Sequence, residues 1–332
     1  MKWGILGTSF ISGVMAEAIQ GDDKSELYAV AGRSEQNLKA FAEQYGIENT
    51  FNDYDALIAD EQVDIIYIAL PNHLHHDFIV KAAEQGKAIL CEKSLSVDME
   101  KTELALKAVE THKVFFAEGL MYLHHPLISE LVSVLKSGEI GELRSIHSSY
   151  IASIAQFVNP DSKGALYNLG CYPMSLVHLV VKTMLGEQAF GNRSMTAIGR
   201  RGNDGNICES NLMTQFGEQQ TASVHTAEDH GLKHQFTILG SKGCITLDSN
   251  PWLPTQENQF SVEIYETSKR EVSVPAAGDA FFYQVRNIRQ AVEAGRTSLE
   301  NPCATWEDSH RIMQLLTEWE SLAFKVSVYL NQ

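Results

Sequence analysis

No run of lysine and arginine occurs anywhere in the 332 residues, and 42 acidic side chains against 26 basic ones leave a formal net charge of −16. Nucleic acid and anionic membrane surfaces both call for a basic face, so neither is expected as a partner. An anionic cofactor needs only a few local donors and stays open. Long hydrophobic runs are missing too. Met1-Lys2 leads straight into the strand-like Trp3-Gly4-Ile5-Leu6, with no apolar stretch of the kind a secretory signal requires. The most apolar helical segment, around Leu176 to Leu185, is interrupted by His178 and Lys182 and cannot span a bilayer. Cysteine is sparse: Cys91, Cys171, Cys208, Cys244 and Cys303 are scattered and form no CxxC pair. That spacing argues against a disulfide framework and against a zinc site, and it suits reduced thiols in a cytoplasm. Internal repeats and low-complexity tracts are absent.

What is present is an ordinary globular composition, 44% hydrophobic and 20% charged, long enough for two domains. The first third alternates strand and helix. Trp3 to Leu6 precedes a helix with Ile11, Val14, Met15, Ala18 and Ile19 on one face, and Leu27 to Ala31 precedes a helix burying Leu38, Phe41, Ala42 and Tyr45. Val63 to Leu70 is almost wholly apolar, as a parallel strand covered on both faces must be. A helix carrying Phe78, Ile79, Ala82 and Ala83 leads to the strand beginning at Ala88; one more helix and the strand Val114 to Ala117 close the unit. This alternation predicts a doubly wound parallel sheet over residues 1–120. From 121 to 332 the pattern changes. Helices are expected at about 125–137 and 164–184, and strands at 143–152 and repeatedly between 195 and 275. Two final helices follow, at about 279–294 and 304–325. The short turns between the strands predict an open, mostly antiparallel sheet.

Ligands of an open parallel sheet sit outside the carboxyl ends of its strands. The apolar strand Ala88-Ile89-Leu90-Cys91 stops on Glu92-Lys93, which puts a lysine at such an end. The first strand is followed by Gly7-Thr8-Ser9-Phe10-Ile11-Ser12. Only the first glycine of a G-x-G-x-x-G fingerprint is kept, but the turn opens a βαβ unit, where a helix N-terminus favours pyrophosphate. After the second strand stand Gly32-Arg33-Ser34, with no carboxylate until Glu35. An acidic residue there would hold the ribose hydroxyl of NAD, whereas an arginine suits the 2′-phosphate of NADP, so NADP is favoured with NAD as the second choice. His73, His75 and His76 in one loop and His124 and His125 in another match no convergent three-ligand set. They read as solvated or cleft-lining side chains, and no metal is expected.

Several of these residues together resemble the Gfo/Idh/MocA oxidoreductases. The series Pro71-Asn72-His73-Leu74-His75, Gly86-Lys87 and Cys91-Glu92-Lys93 is similar to that family's Pro-Asn-x-x-His, Gly-Lys and Glu-Lys-Pro motifs. Met121-Tyr122-Leu123-His124-His125-Pro126, Gly138-Glu139-Ile140-Gly141-Glu142, the run from Gly164 to Pro173 and Gly240-Ser241-Lys242-Gly243 continue the likeness in order along nearly the whole chain. Within the family the chain is similar to the branch that contains dihydrodiol dehydrogenase, NADP-dependent xylose dehydrogenase and glucose–fructose oxidoreductase. The resemblance implies a Rossmann domain, a second domain whose open sheet often mediates dimerisation, and hydride transfer at a carbinol carbon of a sugar, sugar derivative or cyclic diol. It implies cofactor contacts from Gly7, Thr8, Ser9, Phe10, Ile11, Arg33, Ser34, Leu70, Pro71, Asn72, His75, Glu92 and Lys93. Substrate contacts fall to Asn168, His75 and Tyr122.

By the same resemblance, Lys93 matches the catalytic lysine and Tyr172 the acid/base position. The chemistry agrees, because removing hydride from a carbinol carbon requires its hydroxyl proton to leave as well. A neighbouring ammonium favours the phenolate of a tyrosine. Three residues depart from the family pattern: Ser94 replaces a proline, Asn168 an aspartate and Leu123 an arginine. The family's Lys-Pro bond is commonly cis; with serine in that place a trans Lys93–Ser94 bond is expected, since cis at a non-proline residue costs roughly 2.5–4 kcal/mol. Two other readings share the scaffold. One is a non-catalytic, nucleotide-sensing regulatory protein; the other is a lyase or glycosidase that uses NAD(P) transiently.

Overall fold

The structure, a computed structural model, describes residues 1–326. The chain divides into two compact units. The first joins Met1–His124 to Ala280–Met313, and the second joins His125–Asp279 to the described residues from Gln314 on. Residues 280–313 therefore lie with the first unit, not with everything after residue 120. The helix Ala280–Glu293 accounts for this. It buries Val285, Ile288 and Ala291 in the same core as Met15, Ala16 and Ile19, and Arg289 donates to the Asp22 carboxylate at 2.6 Å.

In the first unit, six parallel strands run in the order β3-β2-β1-β4-β5-β6. They are β1 (Lys2–Leu6), β2 (Glu26–Ala31), β3 (Asn49–Phe51), β4 (Ile65–Ile68), β5 (Ala88–Cys91) and β6 (Phe116–Glu118). The helices α1 (Phe10–Gln20), α2 (Glu35–Tyr45), α3 (Tyr54–Ile58), α4 (His75–Glu84) and α5 (Met99–His112) alternate with them. The central strands β4 and β5 are buried along their whole length, which is why they read as unbroken apolar runs. β3 and α3 were not expected from the sequence; three and five residues are too few to show a period.

The second unit opens with α6 (Pro126–Ser137), β7 (Leu143–Ala152) and α7 (Cys171–Leu185). It continues with β8 (Arg193–Arg201), β9 (Ile207–Phe216), β10 (Gln220–Ala227), β11 (Leu232–Gly240), β12 (Gly243–Leu247), β13 (Glu257–Ile264) and β14 (Ser268–Pro275). Their order is β14-β13-β12-β11-β7-β10-β9-β8, antiparallel throughout except for the parallel pair β7–β10. One face buries Ile146, Leu212, Val224, Phe236, Ile238 and Phe260. The other carries Thr196, Asn211, Ser223, His225 and His147, with Ile198 and Met213 exposed at 62% and 54%. Among the described residues that face is open, and it is mostly polar. The last two helices are α8 (Ala280–Glu293) and α9 (Trp306–Val326). No helix among the described residues is long and apolar enough to cross a membrane.

Candidate active site

The first unit gathers its chemistry at the carboxyl ends of its parallel strands. Beyond β1, Gly7 has φ +108°, and a Cβ there would lie 2.7 Å from the Ala69 carbonyl oxygen, so the turn demands glycine. Thr8 and Ile11 are half-buried, Ser9 is exposed, and Phe10 is 86% exposed. Ser12 is buried and accepts the Ser9 N–H at 3.2 Å, closing the first turn of α1. Beyond β2, Arg33 and Ser34 are exposed, and the Ser34 hydroxyl caps α2. Beyond β4 come Leu70, Pro71 and Asn72; the Asn72 Nδ2 is buried with no protein acceptor. A glycine turn ahead of a helix, an exposed guanidinium and an orphaned amide donor, all on one sheet edge, fit a dinucleotide.

Beyond β5 stands Lys93. Its neighbour Glu92 is buried and accepts from the Tyr67 hydroxyl at 2.6 Å; burial raises its pKa. Glu118, at the end of β6, accepts the Leu95 N–H at 2.9 Å. Burial pushes its carboxyl up to about 7 against the pull of the Ser309 hydroxyl and that N–H. The Lys93–Ser94 bond is cis, against the trans expectation. The next peptide is held at both its groups: His75 Nδ1 lies 2.9 Å from the Ser94 carbonyl, and the Leu95 N–H donates to Glu118. A preference measured on a free peptide leaves these tertiary contacts out.

Two expected contributors, His75 and Tyr122, and the motif residue Lys87 are buried. His75 is fully buried, with its ring nitrogens 2.9 and 2.7 Å from the carbonyls of Ser94 and Leu70, so it joins the loops after β4 and β5 rather than facing a ligand. Burial lowers its pKa to about 4, leaving a neutral ring that donates through only one nitrogen. Tyr122 is fully buried as well. Lys87 of the Gly-Lys pair donates to the carbonyls of Asp60 and Val63 at 2.6 and 2.8 Å and is a structural tie. The histidines read as solvated or cleft-lining also differ from expectation. His124 and His125 are buried; burial pushes His124 down to about 3, and His125 caps α6 by accepting the Leu127 N–H at 3.1 Å.

In the second unit, a π-turn at Leu166–Gly170 runs into α7. Asn168 and Tyr172 fall four residues apart across that junction, roughly one helical turn. Tyr172 is nearly buried, with Tyr150 edge-on at 5.4 Å and Trp252 tilted at 6.4 Å between ring centroids. Burial pushes Tyr150 up to about 12. Asn168 donates through Nδ2 to Glu228 at 2.8 Å. Glu228, Tyr150 and Trp252 were not singled out from the sequence. The only local signal for Glu228 is a carboxylate directly after a strand; nothing in 60 residues of separation ties it to Asn168.

Residues 1–120 match the Gfo/Idh/MocA family model described as an oxidoreductase family with an NAD-binding Rossmann fold, and residues 128–246 match the model of the Gfo/Idh/MocA C-terminal domain. The chain is 28% identical over 325 residues to D-xylose 1-dehydrogenase (NADP(+)) 2 of Haloferax volcanii, covering 95% of each. It is 26% identical over 329 residues to the trans-1,2-dihydrobenzene-1,2-diol dehydrogenase of Xenopus tropicalis, covering 96% of each. Among solved structures, a 3-ketoreductase from Actinomadura kijaniata in complex with NADP and TDP-benzene is similar with a TM-score of 0.85, at 25% identity over 97% of both chains.

Proposed function

Because this chain belongs to the Gfo/Idh/MocA family of oxidoreductases, we propose that it transfers a hydride between NADP and a secondary alcohol of a sugar, sugar derivative or cyclic diol. The observation that carries this reading is the position of Lys93 at the carboxyl end of β5, on the sheet edge that also bears Gly7, Arg33 and Asn72. When bound, NADP supplies the nicotinamide carbon that accepts or returns the hydride. Gly7 to Ile11 and Asn72 hold the dinucleotide, and Lys93 donates a hydrogen bond to the reacting oxygen. Tyr172 carries the proton of that oxygen, its ring confined by Tyr150 and Trp252. Preference for NADP over NAD is supported by exposed Arg33, by the lack of a carboxylate before Glu35, and by the NADP in the relatives. We also infer a homodimer formed through the open face of the second unit's sheet.

A panel of sugars and cyclic diols, followed by NADPH absorbance, tests the activity directly. Tyr172→Phe should lose about 10²–10⁴-fold in kcat on the best substrate while cofactor affinity stays at the parent value. Lys93→Met should lose at least as much, and the double variant little more than the worse single one, because the two groups act as a unit. A parent that binds NADPH yet turns over nothing on the panel would instead support a nucleotide sensor. Full activity in Tyr172→Phe would remove that residue from the mechanism.

A further inference from the structure

Lys93 is carried by a backbone segment that two side chains hold from outside. Ser94 and Leu95, the residues after it, are fully buried. The Ser94 carbonyl lies 2.9 Å from His75 Nδ1, and the Leu95 N–H donates to Glu118 Oε1 at 2.9 Å. A neutral His75 has one N–H for the carbonyls of Ser94 and Leu70, so the bond to Glu118 is the tie that depends on no tautomer. Glu118 ends β6, paired with Cys91 of β5, and is 2% exposed. Its Oε2 and the Ser309 hydroxyl of α9 are both buried without a partner in hydrogen-bond geometry, although that hydroxyl is near enough to favour the ionised carboxyl.

Among the described residues, the charged and titratable groups that face Glu118 are Glu92, Lys93 and the Cys91 thiol, all from the end of β5. Burial, with Glu92 and Glu118, pushes that thiol well above its ordinary range, so it carries no charge. Glu92 uses both oxygens, accepting from the Tyr67 hydroxyl at 2.6 Å and the Lys93 N–H at 3.3 Å. Glu118 has only one oxygen bonded and is the less firmly held of the two carboxyls. We propose that Glu118 is a positioning residue for Lys93: its carboxylate grips the Leu95 N–H and fixes the backbone that carries the lysine, and protonation of that carboxyl loosens the grip. This rests on the hydride-transfer reading above, in which Lys93 donates to the reacting oxygen. An N–H bond to an ionised carboxylate is roughly twice as strong as one to a neutral acceptor. With a proton on Oε2 the carboxyl gains a donor that can turn to Ser309, and Oε1 becomes the weaker acceptor. Burial pushes the carboxyl up to about 7, opposed by Ser309, the Leu95 N–H and Lys93 and assisted by Glu92, so the change falls between pH 6 and pH 8.

The test follows kcat of the parent and of Glu118→Gln on the best substrate of the panel from pH 6 to pH 8. Glutamine keeps an acceptor for the Leu95 N–H but never ionises, and the ratio of the two proteins cancels titrations elsewhere. That ratio should stand near one at pH 6 and rise to about fivefold in favour of the parent at pH 8, the margin of a charge-assisted hydrogen bond over a neutral one. NADPH affinity should be equal in both. A merely structural role gives the reverse order, because desolvation of the carboxylate makes the glutamine variant the more stable protein at pH 8. A ratio that is constant across this range overturns the proposal. A second readout needs no turnover. In amide NMR of the NADPH-loaded parent, the Leu95 and Lys93 N–H signals should move together with a midpoint near pH 7, and both movements should vanish in Glu118→Gln. Leu95 moving while Lys93 stays still overturns the proposal, since Glu118 would then hold the loop without reaching the lysine. If the panel gives no turnover, joint movement of the two signals keeps Glu118 as the residue that places Lys93 and counts against hydride transfer alone.

Discussion

Behind the strand ends lie buried titratable groups, and burial is what changes them. Glu118 is the clearest case. Its carboxyl is raised to about 7 mainly by desolvation, so the folded protein binds its proton more tightly than the unfolded chain does. Such a group adds stability that is fully present below its unfolded value of about 4.5 and is lost as pH rises through about 7. Glu118→Gln keeps an oxygen for the Leu95 N–H but has no charge to bury. Its stability relative to the parent should therefore be near zero at pH 5 and should rise toward the order of 3 kcal/mol at pH 8. Urea unfolding at both pH values measures this, and equal differences at the two would show that folding does not raise the Glu118 pKa. His75 shows the same principle with the opposite sign: desolvation holds the ring neutral, and a histidine that could have served as an acid becomes a tie between two loops.

At the scale of elements, function follows from where strands stop. β1, β2, β4 and β5 are parallel neighbours, so their carboxyl ends share one edge and the four loops after them are brought together. Arg33 stands in the second of these loops, exposed, just before Ser34 caps α2. A guanidinium there can pair with a 2′-phosphate, whereas the first carboxylate, Glu35, already belongs to the helix. Arg33→Ala should weaken NADPH binding about tenfold or more while NADH binding changes little, as read by fluorescence titration. Equal loss for both cofactors would show that Arg33 stacks on the adenine instead. In the second unit the corresponding device is the π-turn ahead of α7. It sets Asn168 and Tyr172 about a turn apart and brings Asn168 within reach of the end of β10.

At the scale of the whole molecule, the first unit is completed by a segment far along the chain. α8 contributes Val285, Ile288 and Ala291 to its core, and the buried Asp22–Arg289 pair ties that helix to the region after α1. Among the described residues the second unit's sheet is covered on one face, and its other face joins two exposed hydrophobic residues, Ile198 and Met213, to a polar field. Such a mixed surface is characteristic of a protein–protein interface rather than of a core. Sedimentation equilibrium at micromolar concentration should therefore give a dimer, and Met213→Lys with Ile198→Glu should shift it to monomer without loss of secondary structure. A monomeric parent would remove the homodimer.

Taken alone, the sequence determined the alternating sheet, the mostly antiparallel second sheet and the strand ends that carry Gly7, Arg33, Asn72 and Lys93. Periodicity and turn residues are local, and a parallel strand buried on both faces has to be apolar throughout. The Gfo/Idh/MocA motifs were legible for the same reason, as short patterns in a constant order. Tertiary structure alone decided which of the motif residues are enclosed. His75, Tyr122 and Lys87 belong to recognisable patterns yet are enclosed, because a motif records that a residue is required and not whether packing or chemistry requires it. The placement of residues 280–313 and the pairing of Asn168 with Glu228 were beyond sequence reading as well. Both depend on contacts between segments far apart in the chain, and no helical or strand period reaches that distance.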